Sequence, residues 1–515
     1  MGNHLFDLVR ARMPAPAAPF ALLDDGRRYS YADMVDVSGR FANVLVSLGV
    51  KPGDRVAVQV EKSIEALMLY LGAIRSGAIF LPLNTAYTPA EIEYFLGDAQ
   101  PAVFVCDPAR ADAMKPYADK AGARLETLGV WRSHDVSAGT LADKGLAAPT
   151  AFADVDRGPD DLGAILYTSG TTGRSKGAML SHDNLASNAL ALVDYWRFTQ
   201  ADVLLHALPI FHTHGLFVAT NTVLFSGASM ILLPKFDPDL VFSHLPQATC
   251  MMGVPTFYVR LLQDARLTKE ATAHMRLFVS GSAPLLAETH REWRQRTGHA
   301  ILERYGMTET NMNTSNPYDG ERVAGTVGFP LPGVSARVTD PETANVLGAD
   351  EIGMIEVKGP NVFKGYWRNP EKTAAEFRAD GFFITGDLGK IDSAGYVHIV
   401  GRGKDLIITG GYNVYPKEVE TEIDEMQGVV ESAVIGCPHP DFGEGVTAVV
   451  VVKPGATITA ASIAKTLEQR LAKFKLPKQV FIVDDLPRNT MGKVQKNLLR
   501  EQYKEIYGRA MKAGE

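Results

Sequence analysis

The chain has 515 residues, enough for about three domains of ordinary size, so a single small module is excluded. Hydrophobic residues make up 46% and charged residues 22%, the balance of a globular protein rather than of a disordered chain, a collagen or a coiled coil. Lys and Arg number 52 against 59 Asp and Glu, a formal charge of −7, which argues against nucleic acid or an anionic membrane as partner because both require a basic face; small anionic ligands respond to local charge instead.

The N-terminal MGNHLFDLVRARMPAPAAP lacks the apolar stretch of a secretory signal, and Phe6 stands where myristoylation at Gly2 would want Ser or Thr, so a cytoplasmic protein is expected. Short apolar runs then alternate with helical patterns. DRVAVQV, AIFLPL, AVFVC, GAILY, VLLHALP, SMILLP, TCMMG and MRLFVS read as buried strands. IEALMLYLGAIRSG, TPAEIEYFLGD and SHDNLASNALALVDYW read as helices between them, the last capped by Ser181. Such alternation predicts parallel sheets covered by helices. From Val203 to Pro234 there is no Lys, Arg, Asp or Glu, but His206, Pro209, His212, His214, Asn221 and Gly227 interrupt the run. It reads as strand, loop, helix and strand of a soluble core. Near residue 320 Gly and Pro become frequent, and ARVTD, GMIEVKG and YVHIVGR suggest a small β-barrel-like subdomain. After GRGKD at 401–405 the pattern is helix, strand, strand, helix, strand. The expected fold is therefore α/β. A large N-terminal body over 1–401 holds two mostly parallel sheets and the β-subdomain, and a small mobile α+β domain follows over 402–515. Cys106, Cys250 and Cys437 form no CxxC pair and read as three buried thiols.

Six segments carry chemistry. YTSGTTGRSKG at 167–177 sets Thr168, Ser169, Thr171 and Thr172 among Gly170 and Gly173 and ends on Lys176, between the strand GAILY and the helix after Ser181. Glycines let backbone N–H groups approach an anion, hydroxyls donate to phosphate oxygens and the lysine adds charge, so this is a polyphosphate cradle on a strand–helix junction. Gly177 after the lysine excludes a Walker A loop. PIFHTHG offers Phe211 and His212 as pocket lining; His212 and His214 lack a third ligand nearby, which disfavours a metal. YGMTET places the hydroxyl of Thr308 beside Glu309, a hard oxygen ligand suited to Mg²⁺ on a nucleotide, although a Glu opening a helix is also a common cap. FFITGD ends a short apolar strand with Asp387, which can accept hydrogen bonds from ribose hydroxyls. GRGKDLIITGGYNVYPKEVE flanks Arg402 with glycines, as a hinge requires. LPRNTMGKVQK carries Lys493 on a polar loop.

In this order and at this spacing, YTSGTTG…KG, PIFHTHG, YGMTET, ITGD and GRGKD…PRNTMGK resemble the adenylate-forming superfamily of acyl-CoA synthetases, carrier-loading adenylation domains and luciferases, over nearly the whole chain. Ser175 departs from the usual Pro before the lysine. The resemblance implies an AMP-forming acid–thiol ligase that uses ATP, Mg²⁺ and CoA: a carboxylate attacks the α-phosphate, pyrophosphate leaves, and a thiol then takes the acyl group from the adenylate. It implies Lys493 as the adenylation lysine, Thr168, Ser169, Gly170, Thr171, Thr172, Gly173 and Lys176 as the pyrophosphate loop, Tyr305 and Thr308 at the nucleotide, Glu309 and Thr172 at the metal, and Asp387 and Arg402 at the ribose. It also implies Lys404 and Asp405 as the hinge on which the small domain turns, and Gly410, Gly411 and Tyr412 at the CoA arm.

The text LERYGMTETNMNTSNPYDGERVAGTVG, with GVPTFYVRLL, resembles malonyl-CoA synthetases more than acetate, fatty-acid or aryl ligases. A second carboxylate on the acid needs a cation. Arg260, read as near the start of a helix, is the first candidate and Arg304 the competitor, with His212, Ser282, Gly306 and Met307 around the acid. Methylmalonate, a short or medium monocarboxylic acid, and loading of a carrier protein are the alternatives. Lys493 and Lys496 on one glycine-containing loop also suggest enzymes that acylate and deacylate Lys493 as partners.

Overall fold

The computed structural model describes residues 2–129, 139–168, 175–410, 412–489 and 492–507. Four sheets organise them. The first runs Arg124–Thr127, Val103–Cys106, Arg55–Gln59, Ile79–Pro82, Leu162–Thr168, Lys176–Ser181, all parallel except the last. The second has nine strands. Its parallel centre is Leu302–Met307, Leu277–Ser280, Cys250–Gly253, Val203–His206, Ser229–Leu232 and Pro19–Leu23, and antiparallel strands close both edges. The apolar runs are continuous because these strands are covered on both faces.

The helix Ile64–Arg75 shows what covers them. Each of its residues is buried, so it packs on all sides rather than along one stripe. The Tyr70 ring lies 5.3 Å from Phe80 of the first sheet and 5.8 Å from Phe217 below the second. Ser63 caps the helix start by accepting from the Ala66 N–H. The helix His182–Tyr195 is capped as its sequence predicts, through a reciprocal box between Ser181 and Asn184. Among the described residues, no helix is long and apolar enough to cross a membrane.

The small subdomain is a four-stranded antiparallel meander, Ser335–Thr339, Gly353–Lys358, Phe383–Ile391 and Val397–Arg402. The C-terminal module is a five-stranded sheet in which Gly443–Val452 is central. Helices Pro416–Asp424 and Ala460–Glu468 cover one face with Val419, Ile423, Ile463 and Leu467; Leu499 of Lys496–Tyr503 covers the other.

Two local expectations are corrected and one alternative is excluded. The hydroxyl- and glycine-rich loop does not join a strand to a helix. It joins two antiparallel strands, with Thr168 paired to Lys176, because KGAMLS is itself a strand and the helix starts only at His182. Asp387 does not end its strand; it sits inside the nine-residue Phe383–Ile391, where Gly386 at φ +73° and a register shift at Leu388/Gly389 re-aim the chain. Glu309 opens no helix; it lies in the hairpin turn between Leu302–Met307 and Asn311–Ser315.

Candidate active site

The strand Leu302–Met307 is the spine of the site, since neighbouring side chains on a strand point to opposite faces. Tyr305 serves one end and Arg304 the other.

At the Tyr305 end, its hydroxyl donates to Asp387 Oδ2 at 2.5 Å, and Arg402 Nε pairs with Asp387 Oδ1 at 2.7 Å. Asp387 and Arg402 face each other across the ladder, so strand register alone sets the ion pair. The Asp387 charge raises the Arg402 pKa above its ordinary value. Lys493 joins this pair from the far end of the chain. Its backbone is held by Asn489, whose Oδ1 accepts from the Lys493 N–H at 2.9 Å. A methyl placed on Gly492 would come within 3.2 Å of Thr256, so the loop tip closes against the N-terminal body. The Lys493 side chain keeps contact with solvent, yet crowding in the cleft, and then the Arg402 charge, lower its pKa, while Asp387 opposes them.

Glu309 is buried and its pKa is raised, chiefly by desolvation. The Tyr366 hydroxyl lies 3.1 Å from Glu309 Oε1 and 2.6 Å from Glu376 Oε2. Lys176 Nζ sits 5.3 Å from the Tyr366 ring centroid. Tyr366 thus bridges the two sequence-identified groups. FKGYW offers no local signal for that role, which only the fold reveals. Thr308 is half-buried in the same turn. Ser169, Gly170, Thr171, Thr172 and Gly173 lie outside the described residues, as does Gly411.

At the Arg304 end, the guanidinium is 3% exposed, and its Nε and Nη2 have no hydrogen-bond partner. No carboxylate pairs with it within 4.0 Å among the described residues, and burial pushes it down to about 9. Glu303 accepts from the Leu285 N–H at 3.1 Å, and burial pushes its carboxyl up to about 8, so its attraction only partly opposes the lowering at Arg304. Gly281 leaves room for the guanidinium here, since a Cβ would stand 2.4 Å from Arg304 Cζ and displace it. Ser282 follows at φ +70°, a left-handed conformation costly for a side-chain-bearing residue, and its hydroxyl lies 3.1 Å from His214 Nδ1. His214 starts a π-helical stretch, His214–Thr220, of the kind that marks functional sites. His212 is half-buried and pushed down to about 4 by desolvation, so it is neutral at pH 7. Gly306 and Met307 continue the wall; a Cβ on Gly306 would meet the Asn311 carbonyl at 2.0 Å.

Arg260 is placed differently from its expectation. It lies in the last turn of Pro255–Leu262 and is exposed, 5.2 Å from the Phe236 ring centroid. Of the two candidate cations, Arg304 is the buried one. Lys404 and Asp405 form a single 3-10 turn, with Asp405 bound to Arg500 at 2.7 Å. Gly410 and Tyr412 are exposed on the C-terminal module, Tyr412 stacked on Phe474 at 4.7 Å. Lys496 pairs with Glu420 at 2.5 Å.

The family model for AMP-binding enzymes matches residues 9–367, and that for the AMP-binding enzyme C-terminal domain matches residues 418–493. The chain belongs to the AMP-binding enzyme family. MatB from Rhodopseudomonas palustris, solved with ATP bound, is 66% identical to this AMP-binding enzyme, covers 98% of it and 100% of its own chain, and superposes with a TM-score of 0.96. Apo MatB, at the same identity and coverage, gives a TM-score of 0.85. A malonate–CoA ligase of Arabidopsis thaliana is 34% identical over 93% of this chain and 86% of its own. A feruloyl-CoA synthase of an Amycolatopsis species is 36% identical, over 96% and 97%. Identity near one third therefore establishes the family but does not choose the acid.

Proposed function

We propose that this AMP-binding enzyme is an ATP-dependent malonyl-CoA synthetase. Malonate attacks the α-phosphate of ATP to give malonyl-AMP and pyrophosphate; the thiol of CoA then takes the malonyl group and AMP leaves. The observation that carries the acid is Arg304. A buried guanidinium with free N–H groups and no described counter-ion is completed by a substrate that brings its own carboxylate. Relatives named malonate–CoA ligase support the same reading. His212, Ser282, Gly306 and Met307 shape the pocket, and neutral His212 adds no competing charge.

The reacting carboxylate and the triphosphate are both anions, so the first step needs fixed cations more than it needs a base. Lys493 and Lys176 fill that role, and Asp387, Arg402 and Tyr305 orient the ribose. Glu309 fits a divalent cation, being a buried carboxylate bonded to a neutral phenol with no described Lys or Arg paired to it. Glu309, with Thr172, would hold Mg²⁺, which would supply charge neutralisation at the phosphates. We place the domain boundary at Arg402 and the hinge at Lys404 and Asp405. In the arrangement present, Lys493 faces the body while Gly410 and Tyr412 face solvent. Rotation exchanges them for the thiol step.

Lys493 acts as a cation, and its pKa lies below the ordinary 10.5. The charged fraction is complete at low pH and is lost as pH rises through that lowered value. The kcat/KM profile for adenylation, which reports the free enzyme, is expected to fall on its basic side below pH 10.5. In Lys493→Arg that limb moves to higher pH; an unmoved limb assigns it to another group.

Competition in a pyrophosphate-release assay tests the acid. Malonate is expected to displace octanoate and coumarate; either of them outcompeting malonate overturns the reading. Offering CoA or a carrier protein as the thiol separates a CoA ligase, expected to turn over with free CoA, from a carrier-loading enzyme.

A further inference from the structure

A cavity of about 270 Å³ opens on the far side of Phe211, between the C-terminal ends of both sheets. Phe80, Ile210, Phe211, Phe236 and Phe257 make its wall largely apolar, and of the two lysines that line it, Lys62 is buried and Lys235 exposed. The surroundings of that amine fix its protonation. Lys62 Nζ lies 3.0 Å from His206 Nδ1 and 2.8 Å from the His206 carbonyl. His206 Nε2 is 2.9 Å from the Gly215 carbonyl, an acceptor only, so the ring proton is on Nε2 and Nδ1 accepts. The two N–H bonds of a neutral amine satisfy both acceptors and leave the nitrogen lone pair over. Lys62 also directly precedes Ser63, the cap of Ile64–Arg75, so the positive end of a buried helix adds to the cost of a charge. The charged groups sharing the cavity wall are exposed Glu61, its neighbour in sequence, and exposed Lys235 at the mouth; neither pairs with Nζ among the described residues. Desolvation accordingly takes the Lys62 pKa well below its ordinary value.

We infer that Lys62 is a nucleophilic acyl-acceptor site, in which the neutral amine in the Phe211–Phe236 cavity is acylated by acyl thioesters of the kind this enzyme is proposed to release. The Nζ lone pair attacks the thioester carbonyl carbon, an amide C–N bond forms, the C–S bond breaks, and the thiolate leaves with the proton shed by Nζ. No other reactant is needed. An amide nitrogen keeps one hydrogen, so acylation sacrifices one of the two bonds to His206 and loosens the strand end from which the Pro209–Gly215 loop departs.

The inference rests on the thioester-forming reading only for the source of the donor, so two donors are used. The full-length enzyme, without ATP, is exposed to malonyl-CoA or acetyl-CoA at pH 7 and pH 9, and acylation of every lysine is quantified by peptide mass spectrometry, with Lys62→Met as the mass control. At pH 7, Lys62 is expected to react at least about tenfold faster than the median lysine, and its rate to change less than about threefold by pH 9, whereas ordinary lysines gain about a hundredfold from deprotonation. Labelling by acetyl-CoA alone keeps the acceptor site and counts against malonate as the enzyme's acid. Labelling of Lys62 by neither donor while surface lysines react, or a hundredfold climb with pH, overturns the inference.

Discussion

Lys493→Ala is expected to abolish malonyl-AMP formation while leaving thioester formation from supplied malonyl-AMP nearly intact. At an effective dielectric near 20, removing a unit charge about 4 Å from the reacting anions costs about 4 kcal/mol, or about a thousandfold in rate. The second half-reaction has no such requirement, since the phosphoryl bond is already made, and its rate is expected to stay within about threefold. The split follows from position. In the structure Lys493 lies within charge range of Asp387 and Arg402 with Gly492 against Thr256, while Gly410 and Tyr412 of the same module are exposed. Pyrophosphate exchange reports the first step, and CoA consumption from synthetic malonyl-AMP reports the second. Equal loss in both assays removes Lys493 from the role given to it. Acylation of its amine by a modifying enzyme is expected to reproduce the alanine phenotype, because it deletes the same charge.

Arg304→Met is expected to lower kcat/KM for malonate by about a hundred- to a thousandfold while leaving the free protein as stable as before, or more so. Removing one partner of a buried ion pair costs about 3–5 kcal/mol, which here is charged to the complex, where the distal carboxylate would be left unpaired. In the free enzyme the guanidinium is the unpaired group, and an apolar side chain of similar volume relieves that cost. Activity and thermal midpoint therefore move independently, which a merely structural arginine would not allow. Propionate, which lacks the second carboxylate, is expected to lose less than malonate or to gain. Arg260→Leu serves as the comparison and is expected to cost malonate less than a tenth of the Arg304 effect. A lower midpoint together with parallel losses for malonate and propionate contradicts the assignment.

The framework was legible because its strands are buried on both faces: continuous apolar runs such as AVFVC and TCMMG have no other reading beside short helices of the right phase. The proposed nucleotide end rests on motif order, and strand register brings Asp387 opposite Arg402. Two things were not legible. The phosphate loop was read as a strand–helix junction because KGAMLS is short and begins with a polar residue, so only its pairing with Leu162–Thr168 identifies it as a strand. The choice between Arg260 and Arg304 turns on which guanidinium lacks partners after folding. No local sequence encodes that, for Arg304 acquires its isolation from Gly281 and from Glu303 being engaged by Leu285. Tyr366 was missed for the same reason, lying 57 residues from the Glu309 it contacts.

The most direct test of malonate activation is AMP release by the purified full-length enzyme with ATP, Mg²⁺ and CoA across malonate, methylmalonate, acetate, propionate, octanoate, benzoate and coumarate. The highest kcat/KM is expected for malonate, with methylmalonate next and malonyl-CoA formed in step with AMP; a monocarboxylic acid turned over faster than malonate would contradict it.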